Sequence, residues 1–88
     1  MDEIADWRKR IDEIDERLAA LLNERAGCAV RIGKIKRKKG MEIFNPDREK
    51  NILERIKQLN NGPLDDKAFK KLFELIIEEC RNTEEKEK

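Results

Sequence analysis

Residues 4–38 read IADWRKRIDEIDERLAALLNERAGCAVRIGKIKRK, a stretch with no proline and only two glycines, Gly27 and Gly33. Apolar side chains recur in it at alternating spacings of three and four: Ile4, Trp7, Ile11, Ile14, Leu18, Leu21, Cys28, Ile32 and Ile35. That is the period of one face of an α-helix. The spacing predicts a single long amphipathic helix over about 3–39. Arg37, Lys38 and Lys39 place positive charge in its last turn, and Gly40 supplies a residue able to take the left-handed stop conformation.

Outward from this helix the punctuation is regular. Asn45-Pro46 is a start signal, with asparagine at the cap and proline at the first helical position, followed by Asp47 and Glu49 in the first turn. A second helix is expected over about 46–60, with Ile52, Leu53, Ile56 and Leu59 as its apolar positions and Asn60-Asn61-Gly62-Pro63 as its stop. Asp65 or Asp66 then caps a third helix over about 65–84. Its face is formed by Phe69, Leu72, Phe73, Ile76, Ile77 and Cys80, and a polar, fraying tail is expected over 85–88. No repeat and no strand pattern is present. The fold expected is a single all-α domain of one long and two shorter helices.

The long helix carries a quaternary argument. At 1.5 Å per residue it is a rod of roughly 50 Å, whereas a compact chain of this length has a radius of gyration of about 12 Å. Two short helices shield about half of the apolar stripe, so the rest is expected to be buried against a second copy in an intertwined homodimer with two-fold symmetry. A chain of 88 residues is in any case short for a self-sufficient core.

Composition excludes much. Charged residues are 47% of the chain against 38% hydrophobic, so apolar material is confined to narrow stripes. The net charge of +1 gives no field favouring nucleic acid or anionic lipid. No apolar run approaches the roughly 20 residues of a membrane span, and no charged-then-apolar leader is present, so the cytoplasm is the expected location. With no histidine and only Cys28 and Cys80, neither a zinc site nor a Ser-His or Cys-His nucleophile is expected. Both cysteines are expected to be buried thiols. Catalysis without metal or cofactor would have to rest on Arg, Lys, Glu and Asp.

The row Arg8, Ile11, Asp15, Leu18, Leu22, Arg25, Ala29, Ile32, Lys36 sets three cations into an apolar seam. Desolvating an unpaired charge costs several kcal/mol, so these groups have either structural or ligand partners. In the structural reading, Arg8 and Lys36 reach water at the ends and Arg25 pairs with Asp15, Glu49 or another acid. In the other, Arg25 and Lys36, about 16 Å apart along the axis, hold a small dianion between them. Arg8, roughly 25 Å from Arg25, joins only from an antiparallel partner helix. Arg48 and Glu49 stand at the dipole-positive end of the second helix, as a surface ion pair or as part of a site. Glu84, four residues after Cys80, is either a frayed surface residue or a site residue.

The ordered set Arg8-x-x-Ile11-x-x-Ile14-Asp15-x-x-Leu18-x-x-Leu21-Leu22-x-x-Arg25, Ala29-Val30-x-Ile32-Gly33-x-x-Lys36, Asp47-Arg48-Glu49 and Phe73-x-Leu75-Ile76-Ile77-Glu78 resembles the all-helical chorismate mutases over nearly the whole chain. The resemblance implies rearrangement of chorismate to prephenate, in phenylalanine and tyrosine biosynthesis, by orientation and electrostatics alone. It implies that Arg25 and the partner's Arg8 bind the two carboxylates, and that Lys36 binds a carboxylate and the ether oxygen. Arg48 supports the carboxylate side, Glu49 accepts from the ring hydroxyl, and Ile32 and Ile77 form apolar walls. Three positions depart from the common bacterial pattern. Asn45 stands where an acid is usual, Cys80 where a serine contacts a carboxylate, and Glu84 where a glutamine donates to the ether oxygen. An ionised Glu84 would repel charge developing there, so the role requires its protonated form. An isochorismate pyruvate lyase of the same fold and a non-catalytic helical dimerisation or regulatory module are the alternative readings.

Overall fold

Asp2 opens the chain's first helix by accepting, at Oδ1, a hydrogen bond from the Ile4 N–H at 3.0 Å. From that cap the computed structural model, which describes residues 2–86, runs as three α-helices: α1 (Glu3–Lys38), α2 (Pro46–Leu59) and α3 (Asp66–Lys86). No strand occurs among the described residues. Glu3 and Asp6 complement the dipole at the start of α1, and Lys36, Arg37 and Lys38 complement it at the end. The stop is a double reversal. Gly40, at φ +67°, donates to the Arg37 carbonyl at 3.2 Å, and Met41 donates to the Lys36 carbonyl at 2.8 Å.

The second and third helices begin on the side-chain caps that their sequences announce. Asn45 Oδ1 accepts from the Arg48 N–H at 3.1 Å, with Pro46 at the first helical position, and Asp65 Oδ1 accepts from the Ala68 N–H at 2.8 Å. Asn60 fastens the turn between them. Its side-chain amide donates to the Leu64 carbonyl and to Asp66 Oδ1, both at 2.9 Å.

Helix α3 packs on both α1 and α2, which have no close backbone approach to each other. The core is correspondingly small. Ile52, Ile56 and Ile77 are buried together, with Leu53, Phe69 and Phe73 packed against them and the two phenylalanine rings 5.3 Å apart. Leu72, expected on the inner face of α3, is half exposed.

Along α1 every residue from Glu3 to Glu24 is exposed, including Trp7 at 71% and Leu21 at 60%. Helix α3 covers α1, and the first α1 residue that is not fully exposed is Arg25. Cys28, expected to be buried, is exposed because it lies on the uncovered side, while Cys80 is buried as expected. The tail also differs from expectation. Helix α3 continues through Lys86 because the Arg37 guanidinium donates to the carbonyls of Glu84 and Glu85, giving its last turn donor partners on α1. Residues 87–88 of the expected tail lie outside the described residues. The chain measures 59 × 25 × 14 Å with a radius of gyration of 16.3 Å, well above the compact value of about 12 Å.

Replacing Gly40 by alanine forces a side chain into the left-handed region that ends α1. A loss of about 1 kcal/mol in unfolding free energy is expected. Chemical denaturation at fixed protein concentration checks it, and an unchanged midpoint would remove the role given to this stop.

Candidate active site

Three helical faces of the same spacing meet in one cleft of about 240 Å³. Arg25, Ala29, Ile32 and Lys36 come from α1, at helical offsets of four, seven and eleven. Asn45, Arg48, Glu49 and Ile52 come from the start of α2, and Ile77, Cys80, Arg81 and Glu84 from α3, with Ile43 of the α1–α2 connection closing one side. Of the residues singled out from sequence, Arg25, Ile32, Lys36, Asn45, Arg48, Glu49, Ile77, Cys80 and Glu84 are thus brought together. Arg8 is not. It lies exposed on the uncovered part of α1, too far along the rod to join the cleft of its own chain.

A wider groove of about 450 Å³ lies between α2 and α3, lined by Leu53, Ile56 and four lysines together with Glu54 and Asp66. Its lysines and acids stand on exposed surface, where charges of both signs are solvated and offset one another. The smaller cleft is the one with converging, partly desolvated charge. Four cations (Arg25, Lys36, Arg48 and Arg81) face two carboxyl groups (Glu49 and Glu84) in it.

Several of these charged groups are held by something specific. Lys36 Nζ donates to the Ile43 carbonyl at 2.9 Å, which fixes the ammonium over the cleft and ties the α1–α2 connection to α1. Glu49 pairs with Arg81, not with Arg25 or Arg48, and the Arg81 guanidinium lies 4.7 Å from the centroid of the Phe44 ring. The hydrogen bond it donates to Glu49 outweighs burial and raises the Arg81 pKa above the already high arginine value.

Glu84 is buried at 7% exposure, and its Oε1 has no hydrogen-bond partner among the described residues. Burial raises its pKa above the ordinary glutamate value; the positive charges of Lys36 and Arg37 oppose that rise, and Glu85 adds to it. Room for this carboxyl exists because Gly33 has no side chain. A Cβ there would stand 2.5 Å from Glu84 Cγ and 3.3 Å from Oε1. The arrangement therefore places cationic donors beside a buried carboxyl whose pKa is raised and whose Oε1 has no partner among the described residues.

Sequence reasoning passed over Arg81 and the packing role of Gly33. Signals existed for both. Arg81 is four residues after Ile77 and three before Glu84, hence on the same face as two residues that were chosen. A glycine in a helix interior costs about 1 kcal/mol relative to alanine, which asks for a packing reason.

Fold and site together define a small all-helical chain with one cleft in which four cations and two carboxyl groups converge. The model of the chorismate mutase type II family matches residues 7–85, and the chain belongs to that family. It is 42% identical over 90 residues, 98% of this chain and 25% of the other, to the bifunctional chorismate mutase/prephenate dehydratase of Aquifex aeolicus. With the chorismate mutase of Methanocaldococcus jannaschii it shares 37% identity over 79 residues, 89% of this chain and 80% of that protein. The chain spans about a quarter of the length of the bifunctional relatives. Among solved structures, the form II structure of chorismate mutase from Thermus thermophilus superposes with a TM-score of 0.93 at 30% identity, covering 96% of both chains.

The raised pKa of Glu84 has a signed consequence for stability. The folded chain keeps this proton at pH values where the unfolded chain has lost it, so stability falls as pH rises from the ordinary glutamate range to the raised value, and the cost persists above it. Glu84→Gln, neutral throughout, removes that slope. The midpoint of Glu84→Gln relative to the wild type is expected to rise as pH increases from the ordinary glutamate range of about 4 through the raised Glu84 titration. A difference that stays constant with pH would sink the assignment.

Proposed function

We propose that the chain is a chorismate mutase that rearranges chorismate to prephenate, acting in the cytoplasm as a homodimer. The observation that carries this reading is the buried Glu84 carboxyl, unpartnered at Oε1, in a cleft lined by Arg25, Lys36 and Arg48. The reaction is unimolecular. A carbon–carbon bond forms as the ether C–O bond breaks, so no nucleophile, proton carrier or metal has to be supplied. What is required is a rigid donor set that holds a dianion in its compact conformer and meets the charge developing on the ether oxygen.

The cleft residues then take definite roles. Arg25 and the partner's Arg8 bind the two carboxylates in fork geometry, with Arg48 supporting the carboxylate side. Lys36, already oriented by Ile43, binds a carboxylate and the ether oxygen. Glu84 donates its proton in a hydrogen bond to that same oxygen, and Glu49 accepts from the ring hydroxyl. Asn45 and Cys80 are further polar contacts, and Ile32 and Ile77 are the apolar walls. A non-catalytic pairing module would have no use for an unpartnered buried carboxyl beside several cations, since that group only costs stability.

The homodimer rests on the bare half of α1. Ile4, Trp7, Ile11, Ile14, Leu18 and Leu21 are all exposed in one chain, and burying the apolar surface they still present yields about 25 cal/mol per Å². An antiparallel second copy covers the stripe and carries its own Arg8 toward the cleft, so one contact completes both the core and the site.

The direct test is loss of chorismate ultraviolet absorbance, with isochorismate assayed beside it. Saturable turnover of chorismate is expected, falling as pH rises through the Glu84 titration because only the protonated form donates. Glu84→Gln should flatten the profile. No turnover at any pH would overturn the reading, and pyruvate release from isochorismate alone would redirect it to a lyase.

Shared sites make a second, independent prediction. Arg8→Ala and Arg25→Ala chains should each be nearly inactive, whereas their equimolar mixture should regain about a quarter of wild-type activity, since random exchange leaves one site intact in half of the dimers. Subunit exchange without any recovery would show that Arg8 does not act across the dimer.

A further inference from the structure

The cleft contains one cation for which the proposed reaction has not yet found a use. Arg81 projects from α3 between Cys80 and the turn bearing Glu84, and its side chain and that of Glu49 are each only 25% exposed. Its contacts differ in kind from those of Arg25 and Arg48. The guanidinium is fixed on two sides, by Glu49 Oε2 of α2 and by the face of Phe44 in the α1–α2 connection. A group committed to two protein partners is poorly placed to swing onto a ligand.

Glu49 gains from the same geometry. It stands in the first turn of α2, its backbone N–H bonded to the Asn45 carbonyl at 3.1 Å, and three rotatable side-chain bonds lie between that anchor and its carboxylate. Arg81 Nη1 engages Oε2, which leaves Oε1 to accept from a ligand hydroxyl. The pair also joins α2 to α3 across the cleft and offsets the Glu49 charge, so that Arg25, Lys36 and Arg48 still present a net positive field to a dianion.

We infer that Arg81 is a positioning residue: held against Phe44, it clamps one oxygen of Glu49 so that the other is fixed where the substrate's ring hydroxyl is received. This rests on the chorismate mutase reading and adds to it a residue that acts through Glu49. Catalytic contacts tolerate little looseness, so releasing the clamp lowers the rate even though Arg81 touches no reacting atom.

The test uses the full chain with chorismate and with an analogue carrying hydrogen in place of the ring hydroxyl. Arg81→Met should lower kcat for chorismate about tenfold, the size that a hydrogen bond to a charged group supplies, with a smaller change in KM. Arg81→Lys, which keeps the charge and loses the planar fork, should recover part of it. Two comparisons separate positioning from a merely structural or electrostatic role. On the hydroxyl-free analogue, Arg81→Met and wild type should agree within about twofold, and in a Glu49→Gln background Arg81→Met should add less than about twofold.

Equal losses on both substrates, or full additivity with Glu49→Gln, would overturn the inference, as would unchanged kcat and KM in Arg81→Met. Should Arg81→Met fail to fold, Phe44→Leu leaves the ion pair and removes only the stacking. It should then show a smaller loss on chorismate and none on the analogue, and the reverse pattern overturns the inference. Absence of chorismate turnover by the wild type overturns the functional reading itself, a result distinct from turnover that Arg81 does not affect.

Discussion

Where α3 crosses α1, the Glu84 side chain lies against Gly33 with no room for even one additional carbon. That contact fixes the register between the two helices. Sliding α3 by a single residue would carry Glu84 off the glycine and bring another side chain onto it. Once the register is set, Ile77, Cys80 and Arg81 fall on the side facing the cleft, because they share a helix face with Glu84. Arg37, one turn beyond Gly33, meets the carbonyls at the end of α3. The crossing is made at a cost. A carboxyl is taken from water to a place where one oxygen finds no partner, and nearby positive charge only partly offsets that desolvation. Structure alone gives no reason to keep such a group. In the proposed reaction, a ligand oxygen that takes up its hydrogen bond would.

Helix α3 is therefore the organising element of the chain, although α1 is longer. It is the one helix that packs on both others, so the cleft is two interfaces opening on a common side: α1 against α3, and α2 against α3. The connection between α1 and α2 contributes through two local contacts, Lys36 with the Ile43 carbonyl and Phe44 with Arg81. These matter because α1 and α2 do not approach each other directly. Each polar side chain that spans the gap holds a wall of the site, and the small apolar core of Ile52, Ile56 and Ile77 lies behind those walls.

How much of this the sequence disclosed depended on how local the signal was. Helix starts at Asn45-Pro46 and Asp65, and the stop at Gly40, are written in the residues that form them, so the boundaries agree to within one residue up to the end of α3. The end of α3 was not legible. It depends on Arg37, 47 residues away, whose carbonyl partners no local pattern announces. The cations of α1 were legible because charge inside an apolar row is conspicuous. Arg81 was not, because an arginine in a highly charged helix looks like solvated surface until its place beside Glu49 and Phe44 is seen. Periodicity marked Cys28 as buried, but it identifies a face and does not say whether the same chain covers it.

The uncovered part of α1 and the part of the site proposed to come from a second copy have one cause. The apolar row that begins at Arg8 continues without interruption to Lys36, but this chain supplies neighbours only for its second half. A helix long enough to reach a second subunit is necessarily too long to be buried by its own, and the cation at its far end is necessarily remote from its own cleft. In the proposed dimer the same side chains that close the hydrophobic seam also fix the distance at which Arg8 enters the opposite site. Stability and catalytic competence would then share a single association equilibrium. For a chain this small that coupling is strong, because its own core of three buried isoleucines and their neighbours is a slight counterweight to the entropy of ordering 88 residues.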